Sequence, residues 1–186
     1  MFPVMFPVMN PALLVLALAI PLFTTSQTAE TMPPPAQLAH VNNTFRFHLA
    51  APLARVAPLF GPDGERCWAG KHWDPQFLFP QPPKDTEGAV FTLQHGAHNS
   101  IWVTTVLDLA AGRIQYVSVI PDMLINVIDI RLTSIGASRT AVEVTYARTA
   151  LAAAANDDVN AMGTTDRDSG PHWQQAIEAC MATKPE

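Results

Sequence analysis

The sequence predicts an α+β domain: an antiparallel sheet built around a five-stranded meander and covered on one face by a C-terminal helix. Three observations carry that class. Runs of β-branched and aromatic residues recur between residues 88 and 151, separated by turn signals short enough for hairpins. A helical stripe of Trp173, Ile177, Cys180 and Met181 follows them. Most of the 17 prolines, against nine glycines, fall in the first half, which makes that half loop-rich and leaves the regular structure to the second.

The elements follow in order. Residues 1–26 contain an apolar block, Pro11 to Phe23, with no basic side chain before Arg46. That block has signal-peptide length and falls short of the roughly 20 apolar residues of a span. It is expected to be an export signal cleaved after Ser26, or else an uncleaved anchor. Residues 27–42, with Pro33-Pro34-Pro35, form a stiff linker. The domain proper is residues 43–183. It opens with a strand, Thr44 to Ala50, and a short helix from Pro52 whose Leu53, Val56 and Leu59 recur at helical spacing. Pro58 and Gly61-Pro62 end that helix. Asp63 to Lys84 reads as irregular. Strands are expected at Gly88–His95, Ser100–Leu109, Arg113–Ile120, Leu124–Ile135 and Thr140–Leu151. Residues 160–168, with Gly163 and several small polar residues, allow at most a short helical turn. The last helix starts near Pro171, with Ser169 as its cap.

Charged residues are 15% of the chain and the net charge is −5. No basic footprint is present to release counterions from nucleic acid, so that class of partner is excluded. Membrane contact is expected only through an uncleaved N-terminal segment. At 186 residues the chain suits one core.

The text FRFHLAAPLARVAPLFGP, ERCWAGKHWDP, EGAVFTL, IWVTTVLDL and TAVEVTYARTAL, followed by a Trp-bearing helix, resembles the START-like, or SRPBCC, superfamily of polyketide cyclases, lipid-transfer domains and pollen allergens. The resemblance covers most of residues 43 to 183. It implies a helix-grip fold, in which a curved antiparallel sheet wraps a long C-terminal helix around an apolar cavity. The implied function is binding or transport of a hydrophobic small molecule or lipid. A polyketide cyclase-like or hydrolase-type enzyme using the same cavity, and a structural domain whose cavity is filled, are the alternatives. The chain departs from the pattern where Gly163 and Gly170-Pro171 are expected to interrupt the final helix. An exported, periplasmic or secreted carrier fits the leader.

Aromatic bulk suits both a core and a pocket wall, and Tyr and Trp keep a polar tip that can orient a ligand. The expected ligand-binding set is therefore Trp68 and Trp73 in the connecting stretch, Phe91, Trp102, Tyr116 and Tyr146 on the strands, and Trp173 on the helix. Asn126 and Ile128 join them, since they share the face that excludes Asp129 and Arg131.

No catalytic residue, cofactor or metal is assigned. Cys67 and His72 could pair as nucleophile and base, with Glu65 or Asp74 as orienter, but a spacing of five in an irregular segment enforces no geometry. The expected reading has Glu65 and Arg66 solvated or paired, and both Cys67 and Cys180 packed as small apolar residues, although an oxidising compartment allows them to join. His95 and His98 supply only half of a zinc site, even with His172, Asp166 and Asp168 as distant helpers. Asp157-Asp158 and Asp166-Arg167-Asp168 lack calcium-loop spacing and read as a solvated connection. An acid or base for a cyclase would have to come from His48, His95 or Arg148 beside the inward polar groups.

Overall fold

The computed structural model describes residues 37–95 and 98–183. The expected leader, its cleavage point and most of the linker lie outside the described residues. Among the described residues no helix is long and apolar enough to cross a membrane.

Among the described residues seven strands form one antiparallel sheet. They are β1 (His40–Leu49), β2 (Gln76–Phe79), β3 (Val90–His95), β4 (His98–Asp108), β5 (Arg113–Ile120), β6 (Leu124–Ser134) and β7 (Thr140–Ala150), in the spatial order β1-β7-β6-β5-β4-β3-β2. The meander from β3 to β7 stands within two residues of the expected bounds at each end. The first strand begins at His40 rather than Thr44, because His40 to Asn43 continue the pairing with β7. β2 was not expected; it adds to the free edge of β3, with Phe77 opposite Phe91.

Alternation explains which face is dry. On β6, Leu124, Asn126, Ile128, Ile130 and Leu132 are buried, whereas Val127 and Arg131 face solvent. The register carries the same phase across the sheet: Tyr116 lies opposite Ile128, and Ile128 opposite Tyr146. One inner face therefore runs continuously from β4 to β1.

Two helices cover that face, α2 (Asn156–Arg167) and α3 (Ser169–Thr183), after a short helix α1 (Leu53–Val56) near the start of the chain. α1 runs directly into a tighter 3-10 turn, Ala57–Phe60, where Pro58 withholds its N–H. α2 corrects the sequence reading, which allowed only a short turn here. Its inward positions Val159, Gly163 and Asp166 keep helical spacing but include only one large apolar side chain, so the stripe escapes a hydrophobicity reading. Asp157 and Asp158 in its first turn and Arg167 in its last complement the helix dipole.

Gly163 does not interrupt α2. A Cβ there would lie 2.9 Å from Cγ2 of Val41 and 3.1 Å from Nδ2 of Asn43, so its missing side chain lets the helix lie against β1. The break falls at Asp168, a single residue, and α3 runs through Gly170-Pro171. Ser169 does not cap α3 through its side chain; its hydroxyl donates back to the carbonyl of Thr165 at 3.1 Å.

Cys67 and Cys180 form a disulfide with Cα atoms 5.6 Å apart. This overturns their reading as separate packed residues. The bond joins a short 3-10 turn, Gly64–Cys67, to α3 across 113 residues of sequence. Next to it, Trp173 packs with ring centroids 4.8 Å from Trp68 and 5.3 Å from Phe45, while Ile177 is fully buried. The C-terminal helix is thus held by aromatic packing and by a covalent link.

Candidate functional site

Between the inner face of the sheet, the helices and the 64–73 stretch lies a cavity of about 450 Å³. Small-molecule pockets typically span roughly 300–1,000 Å³. Eight of the nine residues expected from sequence line it. Trp68 and Trp73 form one side, Trp102, Tyr116, Asn126, Ile128 and Tyr146 come from the sheet, and Trp173 comes from α3. Phe91 is the exception. It is fully buried and lies behind the wall, stacked on Trp102 at 5.8 Å and edge-on to Trp73 at 6.1 Å.

The aromatic walls are fixed by their polar tips. Trp68 Nε1 donates to the Leu59 carbonyl at 2.7 Å, Trp73 Nε1 to Pro62 at 2.8 Å, and Trp102 Nε1 to Ser100 Oγ at 2.7 Å. The Tyr116 hydroxyl donates to the Phe60 carbonyl. Two of these four acceptors, Leu59 and Phe60, belong to the turn that follows α1 and a third, Pro62, lies two residues beyond it, where prolines and tight geometry leave carbonyls free of helical partners. That is the role of the proline-rich entry: it supplies the anchors on which the rings turn.

A polar chain crosses one end of the cavity. Asn126 Nδ2 donates to Ser118 Oγ at 2.9 Å, and Arg148 Nη1 donates to Asn126 Oδ1 at 2.9 Å. Arg148 also donates from Nε and Nη2 to the two oxygens of Asp166, both at 2.7 Å. Side-chain exposures of 13% and 7% make this a buried, bidentate ion pair. Asp166 is therefore not part of a solvated connection, as the sequence suggested, although Asp157, Asp158 and Asp168 do face solvent. The Arg148 guanidinium also lies 4.3 Å over the Tyr146 ring, a cation–π contact.

Glu65 is the residue that sequence reasoning missed. Expected to be solvated or paired, it is 4% exposed and lines the cavity. Among the described residues its carboxyl has neither a hydrogen bond nor an ion pair. Burial pushes its pKa well above the usual carboxylate range, and the Asp85 carboxylate pushes it further. Asp85 is raised too, first by burial, while accepting a 2.8 Å hydrogen bond from the Asp63 N–H. Nothing in the sequence around Glu65 marks it as inward, because it sits on a 3-10 turn with no periodic stripe. Its neighbour Arg66 points away and is held by Asp63 and Asp74.

The remaining candidates separate. Cys67 is consumed by the disulfide and His72 is exposed, so no thiol nucleophile exists there. His48 faces solvent on β1, and His98 lines the exposed margin of the cavity. Among the described residues no group of three or more His, Cys, Asp or Glu is arranged to hold a metal ion.

No family model and no curated protein matches the sequence. Solved structures do match the fold. An uncharacterized protein from Rhizobium leguminosarum superposes with a TM-score of 0.57 at 16% identity, covering 80% of this chain and 98% of that one. Norcoclaurine synthase from Thalictrum flavum, in complex with dopamine and hydroxybenzaldehyde, gives 0.58 at 8% identity, with 80% and 90% covered. The protein XoxI from Bacillus cereus gives 0.56 at 15% identity, with 78% and 99% covered. Together with the curved seven-stranded sheet and the helices lying on its inner face, these matches show that the chain has the START-like, SRPBCC-type helix-grip fold.

Proposed function

We propose that this domain binds or carries a hydrophobic small molecule or lipid in the cavity between the sheet and its C-terminal helices. The observation that supports the reading is a space of about 450 Å³ that the chain's own aromatic side chains surround without filling. Apolar burial at roughly 25 cal/mol per Å² would drive binding, and the Glu65 carboxyl and the Asn126–Arg148 end would set orientation. The disulfide between Cys67 and Cys180 supports export to an oxidising compartment, periplasmic or extracellular. Incubating the purified protein with a lipid or cell extract and weighing the intact complex by native mass spectrometry tests the proposal. A retained apolar species at one copy per chain is expected; a protein that never carries one contradicts it.

An enzyme using the same cavity is the second reading, and Glu65 is the observation that favours it, because it places a titratable group inside. Acid–base turnover also needs a second group to receive or return the proton. Arg148 is committed to Asp166, His98 stands on the exposed margin and burial raises the Tyr146 hydroxyl pKa, so binding is the better-supported function.

A further inference from the structure

Glu65 poses a chemical problem that apolar binding alone leaves open. A carboxyl 4% exposed costs stability unless something compensates it, and a glutamine would offer the same hydrogen-bonding reach without that cost. What distinguishes a carboxyl is its capacity for negative charge. Among the described residues, the charged group that acts on it, Asp85, is negative. Asp85 lies close enough to act on it electrostatically. Tyr116 on β5 and Tyr146 on β7 line the same cavity, and the Glu65 charge acts on both. Of the cations nearby, Arg66 is held outside by Asp63 and Asp74, and Arg148 is neutralised by Asp166. His98 stands on the exposed margin.

The walls point the same way. Trp68, Trp73, Trp102 and Trp173 line the cavity, and the face of an aromatic ring attracts a cation. The Tyr146 ring already holds one, the guanidinium of Arg148 at 4.3 Å. Among the described residues the Tyr146 hydroxyl has no hydrogen-bond partner, so it is free to accept from a ligand N–H in the cavity that it shares with Glu65.

From this arrangement, and resting on the reading of the cavity as a ligand site, we propose that the ligand is a hydrophobic amine whose ammonium group pairs with Glu65 and Tyr146 while its apolar body fills the aromatic box. In the free protein Glu65 holds a proton, which avoids an uncompensated buried charge. When the ammonium enters, that proton leaves to solvent and the carboxylate accepts the ligand's N–H. The ligand supplies the counter-ion that the described residues do not.

Isothermal titration of the purified protein with naphthylethylamine and with the isosteric neutral naphthylethanol tests this. Over about pH 6 to 8 the amine stays protonated, since alkylammonium groups titrate near 10.4. The amine should bind more tightly than the alcohol. Its affinity should rise by up to about tenfold per pH unit, with proton release visible as a dependence of the heat on buffer ionisation. Glu65→Gln should weaken the amine by about 10- to 100-fold, the range of a charge-assisted hydrogen bond, and leave the alcohol unchanged. His98→Asn should keep the pH slope. Proton release is read on the unaltered protein, so the test stands even if Glu65→Gln folds poorly. Equal binding of both probes with no effect of Glu65 would overturn the amine assignment and leave the cavity reading intact. Affinity that falls with pH would overturn it in favour of a protonated Glu65 donating to a neutral acceptor. Failure of both probes to bind would overturn the amine assignment and the cavity reading together.

Discussion

Arg148 and Asp166 meet through two parallel hydrogen bonds of 2.7 Å each, and that pair fastens β7 to α2 at the polar end of the cavity. Removing one partner would strand the other charge in a buried site. Asp166→Ala is expected to cost about 3–5 kcal/mol, read as a lowered urea midpoint. Losing both partners at once, as in Arg148→Met with Asp166→Leu, should cost much less. Similar losses for the single and double variants would show that packing of α2, not charge, is what matters there.

The Cys67–Cys180 disulfide closes a loop of 113 residues in sequence. Its replacement by serine at both positions is expected to lower stability by about 2–5 kcal/mol. The thermal midpoint of the unaltered protein should fall on adding reductant, and that of the double variant should not move.

Trp173 touches Phe45, Trp68 and Tyr146 but is only half-buried, since part of its ring faces the cavity. Trp173→Ala is expected near the lower end of the range for core aromatic truncations, about 3 kcal/mol, by chemical denaturation. A neutral result would mean that α3 is held by the disulfide alone.

Glu65 makes stability fall with pH. Its folded pKa is raised by burial and then by Asp85, so between the ordinary glutamate pKa and the raised value the folded state holds a proton that the unfolded state has released. Each pH unit in that window removes up to about 1.4 kcal/mol. Glu65→Gln is therefore expected to be more stable than the unaltered protein at neutral pH, with the gap closing as pH falls toward about 4.3 and absent below it. Parallel stability curves for the two proteins would contradict the burial of this carboxyl.

An exported protein should lose its leader. N-terminal sequencing of material recovered from the periplasm or medium is expected to start near Gln27; intact Met1 on all of it would remove the cleaved-signal proposal.

The sheet was legible because strands β3 to β7 alternate strongly and their connections are hairpin-short, so period and punctuation agree. The cavity wall was legible for the same reason: Tyr116, Asn126, Ile128 and Tyr146 lie in phase on one face, and indoles rarely lie wholly at the surface. Besides β2, three features were not legible, each for a physical cause. α2 turns inward a valine, a glycine and an aspartate, and the aspartate is acceptable only because Arg148 waits 18 residues back. The disulfide depends on bringing residue 67 to residue 180, which no local pattern encodes. Glu65 lies on an irregular turn, where a carboxyl reads as solvated unless the tertiary structure closes over it.

The most direct test of the central claim is a titration with an uncharged, environment-sensitive hydrophobic dye such as prodan. It would be run on the unaltered protein and on two variants that fill the cavity from opposite sides, Ala69→Phe and Ser118→Phe. The account predicts saturable binding at one site per chain, weakened at least about tenfold in both variants while their circular dichroism stays native; a tenfold change is about 1.4 kcal/mol of binding energy. Binding of equal strength in all three proteins, or none in any, would contradict the claim that this cavity is the site at which the protein works.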